Sequence, residues 1–77
     1  MQYPKRLYES PEWWGVSGVW SEVRARGVAR RLGRDLGECM VWEYVGGGVY
    51  RNRHGEEGRF RRRGWGEWER VVSASRG

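Results

Sequence analysis

Apolar residues in the first third of the chain recur at Trp13, Val16, Trp20 and Val23, at spacings of three, four and three. That period describes one face of a helix. Ser10-Pro11-Glu12 precedes it: serine caps, proline fits the first helical position, and glutamate suits the positive end of the dipole. Gly27 stands where a left-handed C-cap is expected, with Arg24 and Arg26 in the last turn. Gly15 and Gly18 each weaken such a helix by about 1 kcal/mol, so a shorter helix capped by Ser17 is the alternative. Val28, Leu32 and Leu36 then repeat every four residues up to Gly37, predicting a second short helix or a continuation after a kink. Residues 1–9, with Pro4 and no period, predict an extended arm.

The pattern changes at Glu38. Residues 39–45, CMVWEYV, are dense in β-branched and aromatic side chains and stop at Gly46-Gly47-Gly48. Short runs then alternate with glycine: 49–54, a turn at Gly55-Glu56-Glu57-Gly58, 59–63, Gly64-Trp65-Gly66, and 67–72. This punctuation predicts an antiparallel meander of three or four strands. The fold expected from the whole is α+β: one or two amino-terminal helices packed on a small antiparallel sheet. A single domain over residues 10–72 is expected, with a polar tail at 73–77.

Composition narrows the function classes. The chain has 77 residues, a formal net charge of +5 and a pI near 10.1. So short a chain has little core, and six tryptophans compensate, each ring burying about 150–250 Å². Trp13, Trp20 and Trp42 lie at apolar-patterned positions and are expected in that core. The single cysteine, Cys39, excludes an internal disulfide, and Cys39 with His54 falls short of the four ligands of a structural zinc site. No cofactor or metal is expected. No apolar run is long enough to span a bilayer and no signal peptide leads the chain, so a cytoplasmic protein without a membrane partner is expected. Lys5 is the sole lysine, and Ile and Thr do not occur. That bias reads as a GC-rich genome, whether bacterial, phage or archaeal.

Charge supplies the candidate chemistry. In strand geometry Arg51 and Arg53 share one face, and Arg59, Arg61 and Arg63 share the same face of the next strand. Tyr50 and Phe60 would then point the other way, towards the helices. Six arginines oppose two glutamates over residues 51–63. Like charges facing each other across a hairpin destabilise it, so such a ladder suits a polyanion. A second cluster, Arg24, Arg26, Arg30, Arg31 and Arg34, contains no acid between its ends. Guanidinium groups bind phosphate oxygens bidentately. Trp65, set between two glycines, is positioned to stack on an unpaired base. No spacing suggests a catalytic Ser, His and acid grouping, and no enzyme is expected.

Val28-Ala29-Arg30-Arg31-Leu32-Gly33, followed by residues 37–45 and a basic hairpin, resembles a winged helix-turn-helix DNA-binding domain. The resemblance covers residues 28–63, with Ala29 and Gly33 at the family's small-residue positions and 49–63 as the wing. It implies an alternative fold of that type. Residues 39–45 lack the Asn, Gln or Arg with which a recognition helix reads base edges. The function expected is therefore nucleic-acid binding, to DNA or RNA, through arginine faces and with little sequence specificity. The rival is a protein-interaction module, such as a virus-encoded inhibitor that docks on an acidic protein surface.

Overall fold

The computed structural model describes residues 2–71. Six strands, β1 (Arg6–Glu9), β2 (Val19–Ser21), β3 (Met40–Gly46), β4 (Val49–Asn52), β5 (Glu57–Gly64) and β6 (Glu67–Arg70), form a closed antiparallel barrel in the order β1-β2-β6-β5-β4-β3. One α-helix, α1 (Glu22–Leu32), lies between β2 and β3, and short 3-10 turns occupy Glu12–Trp14 and Leu36–Glu38. The expected helices on a three- or four-stranded meander are thereby overturned, and so is the winged-helix alternative. Residues 40–70 do run as consecutive antiparallel strands, but β1 and β2 close them into a barrel instead of leaving a sheet for helices to cover. Closure leaves no edge strand among the described residues.

The error at the amino end has a physical origin. The first turn stops at Gly15, whose φ is +74°, and the chain becomes extended at Val19-Trp20-Ser21. Gly18 is the decisive position. A Cβ there would lie 2.4 Å from the Trp20 indole, so the ring can fold back over this backbone only because the side chain is missing. Helix α1 starts after Ser21 and ends at Gly33, whose N–H bonds back to the carbonyls of Ala29 and Arg30. Gly27, expected as a C-cap, sits inside this helix on its exposed side. Arg6–Glu9, within the expected arm, pairs with both β2 and β3 and is the strand that closes the barrel. The expected tail, 73–77, lies outside the described residues.

Strand alternation divides the apolar residues between two cores. Leu7, Trp42, Tyr50, Phe60 and Trp68 fill the barrel, with Val19 and Met40 at its margins. The rings pack edge-on: Trp42 and Phe60 at 5.1 Å between centroids, Tyr50 and Phe60 at 5.5 Å. Tyr50 and Phe60 thus point into the barrel, not towards a helix. The second core lies outside the barrel wall. Tyr8 of β1 faces Trp20 across the β1–β2 pair and Val41 across the β1–β3 pair, and α1 packs Ala25 and Ala29 onto this outer surface. Trp14 joins it, its ring 6.5 Å from that of Trp20, while Trp13, expected in the core, is 63% exposed.

The two mouths of the barrel are closed differently. At one, Arg70 lies over Trp42 and Phe60, 4.7 and 5.6 Å from the ring centroids, and Trp42 Nε1 donates to Glu9. At the other, Tyr3 stacks on Tyr44 at 5.2 Å, and the Tyr50 hydroxyl donates to the Pro4 carbonyl.

Candidate functional site

The arginines expected to form one ladder on the β4–β5 hairpin are interleaved with glutamates. Arg6, Glu43, Arg51 and Glu57 stand side by side on β1, β3, β4 and β5, a cross-strand row of alternating sign. Ion pairs join Arg6 to Glu43 and Arg51 to Glu57, and on the next pair of strands Arg61 to Glu69 at 2.6 Å. The register decides this: β5 places Glu57, not an arginine, opposite Arg51, and Gly58 opposite Tyr50. Arg53 lies beyond the end of β4, in the loop before β5.

The helix cluster divides too. Arg26 is bound to Glu22 one turn earlier, which raises its already high pKa. Arg24 donates to Glu67 and to the Trp65 carbonyl, both at 2.7 Å, tying the start of α1 to the β5–β6 turn. Arg30 and Arg31 occupy the last turn of α1, where cations offset the negative end of the helix dipole. Arg34 follows the cap and helps hold the Glu38 carboxyl ionised. The Glu38 pKa is lowered chiefly by the indole N–H groups of Trp14 and Trp13, which donate to the same carboxylate oxygen at 2.8 and 3.0 Å.

Eight arginines are exposed without an acid at ion-pair distance among the described residues: Arg30, Arg31 and Arg34 by the helix end, Arg53 in the β4–β5 loop, Arg59, Arg62 and Arg63 on β5, and Arg70 at the end of β6. Arg59 reaches the Gly47 carbonyl at 2.8 Å and Arg62 that of Gly64 at 3.3 Å. Arg61, Arg62 and Arg63 are all exposed: Arg62 lies opposite Trp68 and lines the groove with it, and the β5–β6 register shifts only after Arg62. Strict alternation turned Arg62 inward and so left it out of the candidate set. The glycines at 64 and 66 were the available signal for an irregularity there.

Trp65 is 63% exposed at the tip of the β5–β6 turn, with the Arg24 guanidinium 5.9 Å from its ring. Its turn is tight: Gly66 has φ +67°, and a Cβ there would lie 2.8 Å from that of Arg24. Beside Trp65 runs a groove of about 330 Å³ whose walls include Tyr3, Pro4, Val23 and Arg62. Of the candidates named from sequence, the structure brings Arg24 and Trp65 together. Arg51 and Arg53 share a separate groove with Cys39 and Val41. Comparison with protein-family profiles, curated proteins and solved structures finds no match. No helix among the described residues is long and apolar enough to cross a membrane.

Proposed function

We propose that this protein binds nucleic acid through phosphate contacts, with little discrimination of sequence. The observation that carries the reading is the set of eight exposed arginines without an acidic partner among the described residues. Five further arginines are each held by a glutamate, so the unpaired ones are not a by-product of a chain short of acids near its arginines. A strand and a helix end presenting guanidinium groups of one sign suit a polymer that carries phosphates at regular intervals. Helix α1 buries Ala25 and Ala29 against the barrel wall and carries no Asn or Gln with which to read adenine edges.

The test is binding to random-sequence DNA and RNA over a range of salt. Each phosphate contact contributes about −0.9 to the log–log slope on duplex DNA and about −0.7 on single strands. The proposal expects a steep fall in affinity and equal affinity for scrambled sequences. Salt-independent binding overturns it. So does recovery of the tagged protein from cells with one protein partner that survives nuclease treatment, which is the outcome expected of a protein-docking module.

A further inference from the structure

We infer that the barrel mouth around Trp65, Tyr3 and Tyr44 is a base-stacking platform for single-stranded nucleic acid. The inference rests on the nucleic-acid reading above and adds the strandedness of the ligand and the place where it lies. Three aromatic side chains surround this mouth, and each keeps a large part of its surface in water: Trp65 63%, Tyr44 37% and Tyr3 36%. Tyr3 is the middle member. It stacks on Tyr44 with an interplanar angle of 16°, and it shares the groove wall with Trp65.

Burial alone does not explain this arrangement. Tyr3 closes the barrel core by resting on Trp68 at 5.6 Å, but that closure asks nothing of Trp65, which stands 63% exposed. Trp65 could face solvent as any small residue, yet an indole is held there on a turn anchored by Arg24.

The charge around the platform is complementary to a phosphate backbone. Arg62 lines the same groove, Arg59 lies across the β3–β4 turn on its other side, and both lack an acidic partner among the described residues. Glu22, Glu43 and Glu67, on the elements that meet at this end, are each engaged by an arginine. Aromatic faces flanked by open arginines bind single strands because unpaired bases expose their π-faces, whereas paired bases are already stacked. A duplex would meet only the arginines.

The experiment titrates the full chain with a fluorescent thymidine oligonucleotide, an abasic oligonucleotide of equal length, and a duplex of the same length. Wild-type protein is expected to bind the thymidine strand about tenfold or more tighter than the abasic one. Trp65→Ala is expected to remove that difference while leaving duplex affinity within about twofold, and Trp65→Phe to keep most of it. Trp13→Ala, which removes an equally exposed indole outside the platform, is the control and is expected to bind all three ligands as wild type does. Equal affinity of wild type for thymidine and abasic strands, with salt-dependent binding to both, overturns the platform but not the nucleic-acid reading. Absence of salt-dependent binding to all three ligands overturns both.

Discussion

Arg51 faces Glu57 directly across the β4–β5 hairpin and grips one carboxylate oxygen with Nε at 3.0 Å and Nη2 at 2.5 Å. Both side chains are about half exposed, so the pair is screened and stabilises the hairpin by roughly 0.2–1 kcal/mol. Its larger effect is on ligand binding, since a guanidinium already committed to a carboxylate is poorly placed for a phosphate. The charge-neutral double variant Arg51→Ser/Glu57→Ser should leave nucleic-acid affinity within about twofold of wild type. The pair Arg59→Ser/Arg62→Ser should lower it by at least about tenfold and flatten the salt slope by roughly one to two. Binding isotherms at two salt concentrations decide between them. A large loss in the neutral variant would mean that the alternating row itself contacts the ligand.

Much of the carboxy-terminal half was legible because period-two alternation is a local signal. Tyr50, Asn52 and Phe60 point inward while Arg51, Arg59 and Arg61 point out, as their parity requires. Charge pairing was not legible. Whether Arg51 meets Glu57 or an arginine depends on a register set by the intervening turn, where one residue of slip changes every partner. The amino-terminal half misled for another reason. Trp13, Val16, Trp20 and Val23 have helical spacing, but Trp20 belongs to a strand and Val23 to the exposed side of α1. Their period arose by chance across a 3-10 turn, a loop, a strand and a helix. Closure of the barrel needs β1 to pair with β3 across thirty or more intervening residues, a contact to which no local pattern points. Tyr3 was passed over at the candidate site because an isolated tyrosine in an arm has no period at all.

The two cores should respond differently to substitution. Trp42, inside the barrel and 1% exposed, has packed rings on several sides, so Trp42→Ala should cost about 3–5 kcal/mol and leave little folded protein. Ala25 is fully buried where α1 meets the barrel wall. Ala25→Leu should cost about 1–3 kcal/mol by overpacking and push the helix outward. Thermal melts followed at separate far-ultraviolet wavelengths for helix and strand can tell these apart. If Ala25→Leu is as stable as wild type, α1 is not packed closely on Tyr8 and Trp20.

Glu38 couples pH to the packing of two tryptophans. Its folded-state pKa lies below the ordinary value of 4.5 because the Trp14 and Trp13 indoles donate to the ionised form. The unfolded chain therefore takes up the proton first as pH falls. Stability from this group is fully present above about pH 4.5 and is lost as pH drops through the lowered folded value. The indole N–H resonances of Trp13 and Trp14 should move together, with a midpoint below 4.5. Glu38→Gln should abolish that titration. A midpoint at or above the ordinary value would show that the shared carboxylate is not the acceptor in solution.

Gly66 is where the fold and the displayed tryptophan meet. Its φ of +67° disfavours any side chain, and a Cβ would stand 2.8 Å from the Arg24 Cβ and 3.2 Å from the Ser21 hydroxyl. Neither neighbour can yield easily: Arg24 is in the first turn of α1, and the Ser21 backbone N–H donates to the Gly66 carbonyl at 3.0 Å. Gly66→Ala should therefore cost about 1–3 kcal/mol, combining backbone strain with the clash. The damage should be local, loosening the β5–β6 turn and the Arg24 contacts to Trp65 and Glu67 while the interior of the barrel stays packed. Hydrogen exchange would register it as faster exchange of the Ser21 amide, with the amides of β3 and β4 slowed or hastened only in proportion to the global change. Gly64→Ala provides the control, since its Cβ would meet the movable end of the Glu67 side chain at 3.3 Å and its φ is not in the left-handed region. It should cost less than Gly66→Ala and leave the Ser21 amide protected. Equal effects of the two substitutions would mean that the turn is not held against the start of α1, and that the position of Trp65 is not set by Arg24.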